Sequence, residues 1–331
     1  MNNEIELSIV ISFIVTSITF FGIKLINEKF PWIVSECSFN EKSSVFHKKM
    51  LRGLGIIYPI SILPIVFFDN GLINFCDYVL LFSLVLLGFI DDKYNINYKI
   101  KIVSFILISS IYNYYITFNF DDFITFNLII KILFFVFLII FFNQIDGING
   151  LAILTFIISF IFMLLLKDAF INHLPIIFIF IPYLYFNLKG EIGIQGDSGS
   201  YFLAGIFFIN LDFETNNYSY LISLFMLCPI LLDLIATTLV KIYFKENISK
   251  GHKDNLYQIF ASYKNNHISS TITFTVFQIL TCTFVYYLYR IFDLKLFITL
   301  IMLVLIFNFF FFLILSFKLN KDKLYKNYDY K

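Results

Sequence analysis

ITFNLIIKILFFVFLIIFFNQIDGINGLA, residues 124–152, decides the architecture. From Ile124 to Phe142 only Thr125, Asn127 and Lys131 interrupt an apolar run, and a bilayer core is crossed by a helix of roughly 20 such residues. The run stops abruptly at Asn143, Asp146, Gly147, Asn149 and Gly150, and a second apolar run opens at Leu151. An apolar span closed by a short polar, glycine-bearing turn is a membrane helix with chemistry at its edge.

The same alternation extends in both directions. Of the 331 residues 59% are hydrophobic and 21% aromatic, against 14% charged, more apolar surface than a soluble core absorbs. About eleven spans follow: Ile5 to Ile26, Leu54 to Phe68, Ile73 to Ile90, Ile100 to Phe118, Ile124 to Phe142, Leu151 to Leu166, Leu174 to Leu188, Ser200 to Leu211, Tyr218 to Phe244, Ser270 to Ile291 and Leu296 to Phe317. The first lacks a basic leader and a small-residue cleavage site and is read as a retained helix. The expectation is an all-α, polytopic integral membrane protein, a single domain over residues 1–331, with polar loops near 27–53, 91–99, 143–150, 189–199 and 245–269.

Charge sets the orientation. With the N-terminus outside, all of the 24 Lys and Arg residues except Lys131, Lys167, Arg290 and Lys295 fall in segments on the cytosolic side, including the C-terminal tail. A basic tail inside and an N-terminus outside require an odd number of spans. The net charge of +1 excludes nucleic acid as the main partner, because phosphate-backbone binding needs a surplus of cations on one surface. Cys37, Cys76, Cys228 and Cys282 have neither zinc nor redox spacing and read as packing residues.

Four polar clusters sit where hydrophobicity does not explain them: Asp91-Asp92-Lys93; Asn143 to Gly150; Gly196-Asp197-Ser198-Gly199-Ser200; and Gly251-His252-Lys253-Asp254-Asn255, followed by Leu256-Tyr257-Gln258. Singly, an Asp-Asp pair reads as a solvated helix end, Asp-Gly as a turn and Gly-Asp-Ser as an N-cap. All four, however, fall on the face that the lysines and arginines mark as cytosolic. Carboxylates among glycine-rich turns suit a hard, oxygen-liking cation such as Mg²⁺, which bridges protein carboxylates to substrate phosphates. Glycines flanking Asp197 let the backbone approach a phosphate, and helix N-termini at Ser198 and Asn149 direct N–H groups at an anion. Arg52, Lys93, Lys99 and Lys101 supply positive charge.

These residues resemble the polyprenyl-phosphate N-acetylhexosamine-1-phosphate transferases, glycosyltransferase family 4, over about residues 45 to 260. Gly88-Phe89-Ile90-Asp91-Asp92-Lys93 is similar to the family's Asp-Asp motif. Asn143-Gln144-Ile145-Asp146-Gly147-Ile148-Asn149-Gly150-Leu151-Ala152 is similar to its Asn-x-x-Asp-Gly-x-x-Gly-Leu-Ala motif. Gly196 to Ser200 resembles Gly-Asp-x-Gly-Ser, and Arg52-Gly53-Leu54-Gly55 resembles Arg-Gly-Gly-Gly with one glycine replaced. His252-Lys253-Asp254-Asn255-Leu256-Tyr257-Gln258 resembles the His-x-x-His-Leu-Tyr-Gln of the O-antigen and surface-glycan branch, with Asn255 in place of the later histidine, rather than the His-rich triplet of cell-wall members. Asp233 matches a family aspartate, and a packing or capping role suits it equally well.

The resemblance implies a transferase in a bacterial inner membrane with its active site facing the cytosol. Its acceptor is undecaprenyl phosphate and its donor a UDP-sugar, whose N-acetylhexosamine-1-phosphate it transfers with release of UMP. Its metal is Mg²⁺, with Mn²⁺ as a substitute, and its partners are those two substrates and the lipid bilayer; a homodimer is allowed. It assigns catalytic roles to Asp91, Asp92, Asp146 and His252. Substrate binding falls to Arg52, Lys93, Asn143, Gly147, Asn149, Ser198 and Lys253, and metal binding to Asp197 and Asp92. The peptidoglycan phospho-N-acetylmuramoyl-pentapeptide transfer is the alternative within this chemistry. From another class, a secondary transporter would hold its carboxylates near the bilayer midplane, and a CDP-alcohol phosphotransferase would follow Asp-Gly with Ala-Arg, which is absent after Asp146-Gly147.

Overall fold

The computed structural model describes residues 2–29, 35–37, 50–68, 72–117, 126–189, 193–211, 219–246, 254–264 and 266–328. Among the described residues thirteen helices run in chain order: α1 (Asn2–Lys29), α2 (Tyr58–Phe68), α3 (Phe75–Tyr94), α4 (Tyr98–Thr117), α5 (Phe126–Ile145), α6 (Leu151–Leu166), α7 (Leu174–Lys189), α8 (Gly196–Ile209), α9 (Ser219–Met226), α10 (Cys228–Tyr243), α11 (Leu256–Lys264), α12 (His267–Ile291) and α13 (Leu294–Tyr328). Each expected apolar span coincides with a helix, and the ninth with two. Among the described residues four helices are long and apolar enough to cross a membrane by length and composition, five if α9 and α10 form one span. The architecture is that of a multi-pass integral membrane protein.

Departures from the expected pattern have local causes. The ninth stretch breaks by 80° between α9 and α10, where Pro229 lies at the start of α10. A break in an apolar setting frees a carbonyl that another group must satisfy. The buried Gln278 of α12 donates its amide to the Met226 carbonyl and to the Ser159 hydroxyl, the latter at 2.7 Å. Helix α11 falls inside an expected loop, and Asp91 and Asp92 belong to the last turn of α3 rather than to the loop after it.

Among the described residues the helices are accompanied by a three-stranded sheet that the hydrophobic pattern does not signal: β1 (Ser35–Cys37), β2 (Met50–Arg52) and β3 (Gly193–Ile194). β1 pairs antiparallel with β2, and β2 parallel with β3 through Leu51 opposite Gly193 and Arg52 opposite Ile194. This brings Arg52 beside the entry to α8. A 3-10 turn, Leu54–Ile57, follows, and the Gly55 amide donates to the Gln195 carbonyl at 3.0 Å.

Helix α8 is the central pillar. Its residues from Gly196 to Phe208 are all buried, and a helix apolar on every side belongs at the centre of a bundle. It packs on α3 more extensively than any other helix pair packs, and also on α5, α6 and the 3-10 turn. The close approach depends on glycine. A Cβ on Gly88 of α3 would sit 2.5 Å from the Ser198 backbone nitrogen, and one on Gly55 only 2.1 Å from the Gly199 nitrogen. Small residues at such crossings let backbones meet.

Gly88→Ala is therefore expected to destabilise the protein by about 1–3 kcal/mol through overpacking. Gly22→Ala, where nothing lies within 4 Å of the added methyl, serves as the neutral control. Thermal unfolding of the two variants in the same detergent decides it; equal melting midpoints would count against the α3–α8 contact as a close-packed seam.

Candidate active site

The polar ends of α3, α4, α5 and α8 meet at one end of the bundle. Asp92 at the C-terminal end of α3 caps α8: its Oδ1 accepts the Asp197 amide at 3.0 Å and its Oδ2 the Ser198 amide at 3.1 Å. These amides are among the unpaired donors of a helix start, where a carboxylate is favoured by both hydrogen bonding and the helix dipole. Gly196, at φ +69°, makes the turn that admits it, and a Cβ there would stand 2.5 Å from Asp92 Oδ2. Arg52 Nε reaches Asp92 Oδ1 at 2.8 Å, and its Nη2 reaches Asp197 Oδ1 at 3.3 Å.

Asp197 is the centre of the cluster. Its Oδ1 also accepts from Asn143 Nδ2 at 2.7 Å, which ties in the end of α5. Its Oδ2 lies 3.5 Å from Lys101 Nζ and 3.4 Å from the Tyr201 hydroxyl. Lys101, in the first turn of α4, pairs with Asp91 Oδ2 as well, and Tyr201 donates to the same oxygen at 3.1 Å. The other oxygen of Asp91 accepts the Ile96 amide at 2.9 Å, closing the turn between α3 and α4.

Three carboxylates thus share two cations in a largely buried place. Burial, then the charge of Asp197, pushes Asp92 up to about 7 despite Arg52. Burial and the hydrogen bond with Asp197 push Asp91 up to about 6. Against burial, which raises it, the hydrogen bond with Asp91 and the charges of Arg52 and Lys101 hold Asp197 below the usual carboxylate range. Asp197 is the most firmly ionised of the three, and the net negative charge of the group favours a further cation.

The donor set fits a hard divalent ion incompletely. Among the described residues no three His, Cys, Asp or Glu side chains converge as a closed metal cage. Asp197 Oδ2, 3.4 Å from the Tyr201 hydroxyl and 3.5 Å from Lys101 Nζ, is the oxygen placed to meet an ion. Asp92 Oδ1 already accepts from the Asp197 amide and Arg52 Nε, and its Oδ2 from the Ser198 amide. An Mg²⁺ ion, which keeps waters and takes substrate phosphate oxygens, suits such an open site.

The remaining expected residues divide. Asp146 lies in the turn after α5, and its Oδ1 accepts from Gln195 Nε2 at 3.0 Å. Asn149 is buried; its carbonyl accepts the Thr271 hydroxyl at 2.7 Å, while its Oδ1 has no partner among the described residues. Gly147 is part of the same turn. The Ser198 hydroxyl donates to the Gln195 carbonyl at 3.0 Å, so that side chain closes the turn. Lys93 is exposed, 5.6 Å from the Tyr94 ring centre, and forms no ion pair among the described residues. His252 and Lys253 lie outside the described residues.

Residues 74–211, the stretch from the start of α3 to the end of α8, match the family model described as glycosyl transferase family 4. That stretch of the chain is similar to glycosyl transferase family 4. The family-4 region holds Asp91, Asp92, Asn143, Asp146 and Asp197; Arg52, Asp233 and residues 254–258 lie beyond it. Over 65 residues the chain is 38% identical to a phospho-N-acetylmuramoyl-pentapeptide-transferase of Petrotoga mobilis, a match that covers 19% of this chain and 21% of that protein.

Two residues of the family-4 region do work that their motifs do not announce. Tyr201 stands four residues after Asp197, one helical turn away, so it returns to the same face. Gln195, just before Gly196 and fully buried, donates to Asp146 and accepts the Tyr58 hydroxyl at 3.3 Å. An amide immediately before Gly196-Asp197 was the available signal. Gln195→Met removes both contacts and leaves a carboxylate and a buried hydroxyl without them, at an expected cost of roughly 1.5–3 kcal/mol. Gln195→Glu, which sets a carboxylate against Asp146, is expected to unfold at still lower temperature; wild-type melting of both variants would refute this role.

Proposed function

We propose that this chain transfers an N-acetylhexosamine-1-phosphate from a UDP-sugar to undecaprenyl phosphate, releasing UMP and giving an undecaprenyl-diphosphate sugar that starts a surface glycan. The observation that carries it is the convergence of Asp91, Asp92 and Asp197 with Arg52 and Lys101 at one end of a membrane helix bundle. Mixed charges of this kind suit diphosphate esters, and the match of residues 74–211 to the glycosyl transferase family 4 model supports a sugar-phosphate donor.

In this reading an oxygen of the lipid phosphate attacks the β-phosphorus of the donor. The bond from that phosphorus to the oxygen bridging it to the α-phosphorus breaks, UMP departs with the bridging oxygen, and the bond between sugar and phosphate is retained. The protein supplies positioning and charge neutralisation rather than covalent chemistry. Lys101 and Arg52 hold phosphate oxygens on either side of Asp197. Asn143 and Asp146 position the nucleotide or diphosphate, with Gln195 fixing the Asp146 carboxylate. Asp91 orients the lipid phosphate, which is already ionised at neutral pH. Asp197, with Asp92 as second ligand, would hold Mg²⁺, which would supply Lewis-acid neutralisation of the diphosphate. In this reading apolar length gives about eleven spans, the distribution of Lys and Arg puts the N-terminus outside and this site on the cytosolic face, and the resemblance to family 4 makes the membrane a bacterial inner membrane.

Transfer of phospho-N-acetylmuramoyl-pentapeptide is the second reading, favoured by the similarity to the Petrotoga mobilis protein. The stretch His252 to Gln258, with its Leu256-Tyr257-Gln258 ending, resembles the surface-glycan form rather than the His-rich triplet of cell-wall members and favours the first. Purified protein incubated with undecaprenyl phosphate, Mg²⁺ and a panel of UDP-N-acetylhexosamines and UDP-N-acetylmuramoyl-pentapeptide separates the two by which donor yields UMP. Lipid-dependent release is expected to cease with a chelator and to fall about 100-fold or more in Asp197→Asn, the scale on which one preorganised charge acts. Folded protein that releases no UMP from any donor would overturn both readings.

A further inference from the structure

Asp233 lies in the middle of α10, inside an apolar helix, with no solvent exposure. A buried carboxylate persists only where donors meet it. Its Oδ1 accepts the Leu256 amide at 3.0 Å and the Thr237 hydroxyl at 3.3 Å, and its Oδ2 accepts the Tyr257 amide at 3.3 Å. Leu256 and Tyr257 are the first two residues of α11, so this acid is a helix cap supplied from 23 and 24 residues away. One turn pair further along α10, Lys241 Nζ holds Asp254 Oδ2 at 2.8 Å.

The capped segment is connected to the carboxylate cluster through Tyr257. Its buried hydroxyl donates to the Gln144 carbonyl at 2.9 Å and accepts from Asn255 Nδ2 at 2.9 Å. Gln144 is the neighbour of Asn143, whose amide holds Asp197. From the other side the Ser270 hydroxyl of α12 donates to the Tyr257 carbonyl at 2.7 Å, and the next residue, Thr271, donates to the Asn149 carbonyl. Tyr257 and Asn149 are therefore held by successive residues of one helix.

We propose that Asp233 is a positioning residue that docks the segment Asp254–Gln258 against the ends of α5 and α12, fixing the chain that directly follows His252 and Lys253 relative to the Asp146–Gly150 turn. It touches no substrate and acts through Tyr257. The inference rests on the sugar-phosphate transfer reading for its kinetic consequence, and on the contacts alone for its structural one.

The test compares wild type, Asp233→Asn and Tyr257→Phe by limited trypsin digestion and by steady-state kinetics on the donor that wild type uses. Asn at 233 keeps the size but presents an NH₂ group to one of the two amides. Cleavage within the lysine-bearing stretch 245–264 is expected to quicken about tenfold in Asp233→Asn. The kcat/KM for the UDP-sugar is expected to fall about 10- to 100-fold, the cost of slight misplacement, with the KM for undecaprenyl phosphate within about twofold of wild type. Tyr257→Phe, which removes one hydroxyl, is expected to show the same split more weakly. Should Asp233→Asn fail to fold, wild-type donor kinetics and cleavage in Tyr257→Phe overturn the proposal. Parallel loss of both substrates with a lowered melting midpoint and unchanged relative cleavage marks Asp233 as a packing residue and overturns it too. If wild type turns over no donor, the reaction reading fails while the digestion arm still decides the docking role.

Discussion

The carboxylate of Asp92 on the first amides of α8 is the contact on which the rest of the site is built. It joins the end of α3 to the start of α8 by two hydrogen bonds, and these are the two helices most extensively packed on each other. The cap requires Gly196 to turn away and Gly88 and Gly55 to let backbones touch. It also requires Arg52, which the short sheet delivers to the same place by pairing β2 with β3. A side chain that looks catalytic in sequence thus has a structural task, and Asp197 stands where it does because Asp92 holds the amide of that same residue.

Electrostatics adds a second layer. Two cations divide themselves among three acids, each bridging a different pair: Arg52 joins Asp92 to Asp197, and Lys101 joins Asp91 to Asp197. In a partly desolvated setting such bridges fix geometry more than they add stability, since the penalty for removing ions from water is large. Asp197 is common to both bridges, and Asn143 and Tyr201 add neutral donors around it. The arrangement gathers charged and neutral donors from α4, α5, α8 and the sheet around Asp197.

Much of this was legible in the residues. Apolar length located the helices, and the lists Asp91-Asp92, Asn143–Gly150 and Gly196–Ser200 named elements that do converge. What apolar length does not encode is how a span is interrupted. The break at Leu227 depends on Gln278 of a distant helix reaching the Met226 carbonyl, a contact with no local trace. Helix α11 was hidden because a short helix in a polar stretch depends on a remote cap, Asp233, rather than on its own sequence. Lys93 and Lys101 look alike in a loop census; only the turn closed by Asp91 and Ile96 decides that Lys101 faces inward. The sheet strands are two or three residues long, too short for a period-2 pattern to register.

The glycine seam between α3, the 3-10 turn and α8 has an evolutionary reading. At positions 55, 88 and 196 the space beside the α-carbon is already occupied by another backbone or by Asp92, so the acid cluster can be altered only by replacing its own members. Around Asn255 the barrier is different: its Nδ2 meets the Tyr257 hydroxyl and that hydroxyl meets the Gln144 carbonyl, so substitution there exchanges side-chain contacts instead of colliding with a neighbouring backbone. The fold separates a part that is frozen by geometry from a part that is free to diversify.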